Sequence, residues 1–243
     1  MTPDFRLKNL EHQQREFDDF RFAIARALLW QLRTGKSKAM IDLACDLFKR
    51  GEIDRVLIMA PNNVHISWIT DQLKTHAWNS VKYRGRYWSS RQSTKKNYGP
   101  ILDAEILRPS DAEGELLFYA VNSEAARFPR PKKSMELFIA SAKKGVLFIG
   151  DESQDFKKPR SKRGMLARSF AKQCKYRRIL SGSFSDNSPL NAWGQFEILA
   201  PGALGFKTYG AFEREYAEYE LKRIGNRTIP VVDRYKNLDD LRN

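Results

Sequence analysis

An α/β domain with a central, mostly parallel sheet flanked by helices is the fold this sequence predicts, on three observations. Short apolar runs alternate with stretches of helical period along the chain. The runs are apolar at successive positions, as strands covered on both faces must be. The chain has 243 residues with 42% hydrophobic content, enough for one sizeable core.

The elements follow in order. Residues 27–32 (ALLWQL) read as the first strand. Residues 36–50 read as a helix, with Met40, Leu43, Ala44 and Leu47 at i, i+3, i+4 and i+7. The next strand is 55–60 (RVLIMA), followed by a helix over 63–73. Strands at 115–121 (ELLFYAV), 145–150 (GVLFIG) and 178–181 (RIL into Ser181) follow. Helices over 134–144 and 162–173 lie between them. Residues 221–243 are more polar and read as a connector, which leaves residues 1–220 as the domain.

Forty-three Lys and Arg against 29 Asp and Glu give a net charge of +14, which points to a polyanionic partner, most often nucleic acid. Cys45 and Cys174 are the two cysteines, with no CxxC spacing, and read as buried free thiols in a reducing compartment. The three histidines form no metal-binding pattern, which argues against zinc. No apolar run approaches the length of a membrane span, so no membrane partner is expected. The expected location is cytoplasmic.

Two stretches break the α/β rhythm. Residues 72–102 contain no acid and mix Lys74, Lys82, Arg84, Arg86, Arg91, Lys95 and Lys96 with Trp78, Tyr83, Tyr87, Trp88 and Tyr98. This block reads either as a basic-aromatic insertion that touches a duplex or as a solvated face with its aromatics docked on the core. Residues 156–185 hold ten Lys and Arg and no acid, with the same two readings.

Three short motifs carry chemistry. Thr34-Gly35-Lys36-Ser37 joins the first strand to the first long helix. Backbone N–H groups and the positive end of a helix dipole can cradle phosphate at such a junction. Lys36 would reach the β- and γ-phosphates and the Ser37 hydroxyl would ligate Mg²⁺. The strict phosphate-loop pattern fails, because Trp30 stands where its first glycine belongs, so a surface turn is the alternative. Asp151-Glu152 closes the strand GVLFIG. In an open α/β sheet that is where ligands bind. Asp151 can hold Mg²⁺ while Glu152 positions and deprotonates a water; an ordinary acidic turn is the alternative. Ser181-Gly182-Ser183, after the next strand, suits a sensor touching the acidic motif.

Together these residues resemble the first RecA-like motor domain of superfamily-2 helicase-like ATPases. The nearest likeness is to the Swi/Snf-type duplex DNA translocases, phage versions in particular. The resemblance runs from about His12 to Leu199. His12-Gln13 resembles the Q motif, whose glutamine reads adenine, and Thr34 to Ser37, with Arg33 before it, resembles motif I. Pro61, Asn62 and Trp68 (PNNVHISW) resemble motif Ia, near the DNA backbone. Asn122 and Ser123 (VNSE) resemble motif Ib, another backbone contact. Asp151-Glu152-Ser153-Gln154 resembles motif II. Lys157, Lys158, Arg160 and Lys162 match a basic stretch that follows it in the Swi/Snf group. Ser181-Gly182-Ser183 resembles motif III, which with Gln154 would couple ATP to DNA. The stretch 187–205 also follows the family pattern.

Three positions depart from that pattern. Arg33 stands where Gly is frequent, Gln154 replaces the usual His, and Ser183 a common Thr. The resemblance implies a RecA-like P-loop fold, ATP and Mg²⁺ as cofactors, and double-stranded DNA as partner. It also implies a second RecA-like domain, in cis or in trans, carrying the arginine finger, and a setting in a bacterium or phage-infected cell. A finger supplies roughly 10³–10⁵ in rate in related NTPases, so the chain alone is expected to be nearly inactive. A basic nucleic-acid-binding module with a degenerate ATPase site is the competing reading.

Overall fold

The computed structural model describes residues 3–109, 114–182 and 188–239. Six strands form one parallel sheet in the order β1-β6-β5-β2-β4-β3. They are β1 (Ala25–Leu29), β2 (Arg55–Ala60), β3 (Tyr83–Tyr87), β4 (Leu116–Asn122), β5 (Val146–Asp151) and β6 (Tyr176–Ser181). The helices are α1 (Glu11–Phe20), α2 (Lys36–Lys49), α3 (Val64–Ser67), α4 (Leu73–His76), α5 (Tyr98–Leu107), α6 (Pro129–Ala140), α7 (Lys162–Ala171), α8 (Leu190–Leu199) and α9 (Tyr209–Tyr216). A π-helical turn, Trp68–Gln72, joins α3 to α4.

Successive strand residues point to opposite faces, and each face buries its own apolar cluster. Val56, Ile58, Phe118 and Ala120 face one way, against Met40, Ala44 and Leu47 of α2. Leu57, Met59, Leu117 and Tyr119 face the other, against Leu102 and Ile106 of α5, Phe138 of α6 and Phe170 of α7. The predicted parallel α/β architecture is therefore observed. Its functional consequence is geometric. The carboxyl ends of β1, β2, β4, β5 and β6 share one edge of the sheet, and every motif of the sequence analysis follows one of them except His12-Gln13, which lies in α1 ahead of β1.

Several boundaries differ from expectation: the helix expected over 134–144 is Pro129–Ala140, the strand expected from 178 begins at Tyr176, and the helix expected over 63–73 is interrupted by the π turn and runs on to His76. The first strand stops at Leu29 rather than at residue 32, because the chain turns out of the sheet and leaves Leu32 69% exposed. Strand β3 lies inside the basic-aromatic block, which is thereby built into the sheet at its edge. Trp78 and Trp88 of the same block are core residues. Finally, residues 221–235 of the expected connector are strand-forming. They supply most of a hairpin, β7 (Ala217–Ile224) with β8 (Arg227–Tyr235). Tyr216, Ala217, Val232 and Tyr235 pack with Trp193 and Phe212 in a third cluster, so a boundary at 220 cuts through β7.

Candidate nucleotide site at the carboxyl edge of the sheet

Between β1 and α2 the chain forms a tight loop. Two of its residues take left-handed backbone, Arg33 at φ 64 and Gly35 at φ 81. Gly35 is the N-cap of α2 and no side chain caps that helix, so its first N–H groups face the loop without a side-chain acceptor. Lys36 is buried, and its ammonium donates to the carbonyls of Trp30 (2.9 Å) and Gln31 (3.0 Å). Thr34 Oγ1 donates to the Gln31 carbonyl at 2.7 Å. The Thr34 carbonyl receives Gln13 Nε2 at 3.1 Å and lies 2.9 Å from His12 Nε2. Gln13 is itself buried, and its Oε1 accepts the Leu10 backbone N–H at 3.0 Å. Helix α1 thus locks onto the loop through the residue expected to read adenine. Ser37 is half-buried in the first turn of α2, and Arg33 is exposed.

Asp151 ends β5 and is only 6% exposed. Its Oδ2 accepts the Trp68 indole N–H at 2.8 Å, and its Oδ1 accepts the Glu152 backbone N–H at 3.0 Å. Burial raises the pKa of this carboxyl. The Glu152 carboxylate pushes the same way, while the Trp68 hydrogen bond and the Lys36 ammonium pull it back. Glu152 sits at φ 50, a left-handed conformation that turns the chain sharply after the strand. Its Oε2 accepts Gln154 Nε2 at 2.7 Å, and Gln154 Oε1 accepts the Ser181 hydroxyl at 2.8 Å. One carboxamide therefore bridges the ends of β5 and β6, between two of the residue sets expected to couple. Gln31, Leu32, Glu152, Gln154 and Gly182 line one open depression. Ser183 lies outside the described residues.

The residues expected to contact DNA divide into two groups. Asn62, Lys158, Arg160 and Lys162 are exposed, and Pro61 and Lys157 are half-buried. Arg160 is held by Glu213 at 2.7 Å and lies over the Tyr209 ring. Trp68 and Ser123 are corrections, because each is 1% exposed and cannot reach a duplex in this structure. Trp68 is spent on Asp151. Ser123 Oγ donates to Asp155 at 3.4 Å. Asn122 is also mostly buried, its Oδ1 accepting the N–H groups of Glu124 and Ala125 and its Nδ2 donating to Asn62 at 3.0 Å. It shapes the loop that follows β4.

The two basic blocks are likewise less uniform than their composition. Arg178 is 1% exposed and donates to the carbonyls of Ala23 and Ile24. Arg168 donates to Pro159 O, and Arg84 lies 3.2 Å from Glu115. These cations are structural.

His12, named with Gln13 in the sequence but given no role of its own, packs edge-on against Trp30 at 4.8 Å as well as meeting the loop. One residue at the site was missed by sequence reasoning. Gln195, fully buried, accepts the Ser153 hydroxyl at 2.6 Å and pins the acidic motif to α8. Nothing in the sequence marks it.

The arrangement fits a nucleoside triphosphate with a divalent cation. A buried ammonium satisfied only by carbonyls, an uncapped helix N-terminus and a left-handed glycine form an anion cradle. Asp151 retains lone pairs beyond its two hydrogen bonds, since a carboxylate accepts about four. No group of three or more His, Cys, Asp or Glu side chains suited to a metal occurs among the described residues, so a cation here would depend on Ser37, Asp151 and the phosphates themselves. No helix among the described residues is long and apolar enough to cross a membrane.

No protein-family model matches the chain, and no curated protein matches it in sequence. Solved structures do match. The Sulfolobus solfataricus SWI2/SNF2 ATPase core in complex with dsDNA superposes with a TM-score of 0.63 at 18% identity, over 89% of this chain and 40% of that one. The UvsW helicase from bacteriophage T4 superposes with a TM-score of 0.52 at 14% identity, over 79% of this chain and 58% of that one. The chain thus spans about two fifths of the first structure and under three fifths of the second. At these identities the likeness is one of fold, and the chain carries the RecA-like α/β fold present in helicase motor cores.

Proposed function

We propose that this chain is the ATP-binding half of an ATP-dependent translocase or helicase of the superfamily-2, Swi/Snf-like type, acting on duplex DNA. The observation that carries the reading is the convergence of Lys36, Asp151, Glu152, Gln154 and Ser181 at one sheet edge, around a loop whose only buried cation is satisfied by carbonyls. In this reading Gln13 and Thr34 to Ser37 bind the nucleotide. Lys36 exchanges its carbonyl partners for phosphate oxygens. Ser37 and Asp151 hold Mg²⁺, which when bound neutralises charge on the phosphates. Glu152 orients and deprotonates a water. Gln154 and Ser181 relay the state of Glu152 to β6.

The exposed Lys158 and Lys162, with Asn62 on the neighbouring loop, supply a backbone-reading surface without base specificity. The dsDNA in the SWI2/SNF2 structure supports duplex DNA as the partner. A second RecA-like domain supplies the remaining catalytic groups. The test is Glu152→Gln in the assembled two-domain enzyme. Nucleotide binding should persist and turnover should disappear. Unchanged turnover removes Glu152 from the water-activating role.

One observation favours the competing reading, a nucleic-acid-binding module with a degenerate ATPase site. Arg33 holds a left-handed conformation that a non-glycine residue adopts at a cost. That module would bind duplex DNA with strong salt dependence and would ignore nucleotide.

A further inference from the structure

Trp68 was expected at the DNA surface, and the fold puts it elsewhere. Its ring is 1% exposed, and its indole N–H reaches Asp151 Oδ2 across 83 residues of sequence at 2.8 Å. Indole has a single donor and no acceptor, so this bond uses all of its hydrogen-bonding capacity. Asp151 Oδ1 is fixed separately by the Glu152 N–H. The two bonds approach different oxygens and so oppose rotation of the carboxylate about χ2.

The element that carries Trp68 is unusual. It opens a π-helical turn, Trp68–Gln72, between two short α segments. π-Turns are rare and widen the local spacing. The buried residues His65, Trp68 and Leu73 accordingly recur at i, i+3 and i+8, which keeps them all on the core side. His65, three residues earlier, is also buried, with its ring nitrogens 3.3 Å from the Pro61 carbonyl and 2.9 Å from the Trp88 carbonyl. The same short helix therefore anchors the loop of Pro61 and Asn62 at one end and Asp151 at the other.

We infer that Trp68 is a positioning residue for the divalent cation, acting through its hydrogen bond to the carboxylate of Asp151. The inference rests on the nucleotide-binding reading above. Partners that orient a ligating carboxylate in this way are worth roughly 10–100-fold in metal affinity where they have been removed.

The test is a titration of a fluorescent ATP analogue over a range of Mg²⁺ concentrations, with a parallel arm in EDTA. It uses the full chain, Trp68→Phe, Asp151→Asn and the double variant. Trp68→Phe keeps an aromatic ring in the core and deletes the donor. The Mg²⁺ midpoint should rise about tenfold in Trp68→Phe, with metal-free nucleotide binding unchanged. In the Asp151→Asn background the same substitution should shift the midpoint no further, because the path through Asp151 is already cut. An unchanged midpoint in Trp68→Phe overturns the inference and leaves the functional reading standing. Equal losses in both arms make Trp68 a packing residue only and also overturn it. A wild-type chain that binds nucleotide in neither arm overturns the functional reading, and the inference falls with it.

Discussion

The carboxamide of Gln13 lies directly over Gly35: a β-carbon built on that glycine would stand 2.2 Å from Gln13 Nε2. Gly35 is also at φ 81, where L side chains are strained. Gly35→Ala should therefore push Gln13 off the Thr34 carbonyl and weaken the contact between α1 and the loop. The expected cost is about 1–2 kcal/mol of stability in urea unfolding, with a larger fractional loss of affinity for ATP than for inorganic triphosphate. Equal losses for both ligands would show that Gln13 does not read the base.

Arg178 should be among the most costly cations to remove. It is fully buried on the sheet, its guanidinium bound to carbonyls around the start of β1, and burial pulls its pKa down to about 10. Glu16 is nearby, and its own carboxyl is raised by burial despite the Arg26 pairing. Arg178→Met would strand those carbonyls and cost about 2–4 kcal/mol in denaturant unfolding. Arg160→Ala, at an exposed pair, should cost under about 1 kcal/mol. Similar values for the two would refute the assignment of Arg178 to the structural set.

Both thiols should be silent in the native chain. Burial disfavours the charged thiolate and pushes Cys45 and Cys174 up to about 12 each. At pH 8 the thiolate fraction is then about one in ten thousand, and access is closed as well. Iodoacetamide should label neither residue natively at pH 8 and both in denaturant. Rapid native labelling of either one would contradict its burial.

Duplex binding should respond to exposed cations and not to buried ones. Each neutralised phosphate contact contributes about 0.9 to the slope of log K against log salt. Lys158→Gln with Lys162→Gln should lower that slope by up to about 1.8. Lys95→Gln with Lys96→Gln tests the edge block in the same way. Arg84 is tied to Glu115 and Arg86 to Glu105, so Lys95 and Lys96 carry the test of the edge block. A slope unmoved by all four lysines would remove this face from the DNA interface.

The parts of this fold that were legible in the sequence are those whose signal is local. RVLIMA and GVLFIG are buried at every position, and such runs announce central parallel strands. Strand β3 was not legible, because YRGRY carries two arginines. Only the fold brings Glu115 to Arg84 and Glu105 to Arg86. The hairpin β7–β8 is largely exposed, and β8 (RTIPVVDRY) has no period-2 alternation, so its sequence hid its strands. At the site, Lys36, Asp151 and Glu152 could be named because short motifs fix their chemistry. Trp68 was placed at the DNA side because the likeness of PNNVHISW to motif Ia assigns that whole stretch to the backbone contact. Its partner is 83 residues away, and no local pattern records the bond.

The proposed role of Lys36 as the phosphate-binding cation is open to equilibrium binding of a fluorescent ATP analogue with Mg²⁺ to the chain and to Lys36→Ala, each with and without a short DNA duplex. Binding should saturate for the wild type and be lost in Lys36→Ala, with the duplex still bound by both. Nucleotide binding by neither protein, while both still hold the duplex, would overturn the proposed function and leave a nucleic-acid-binding module in its place.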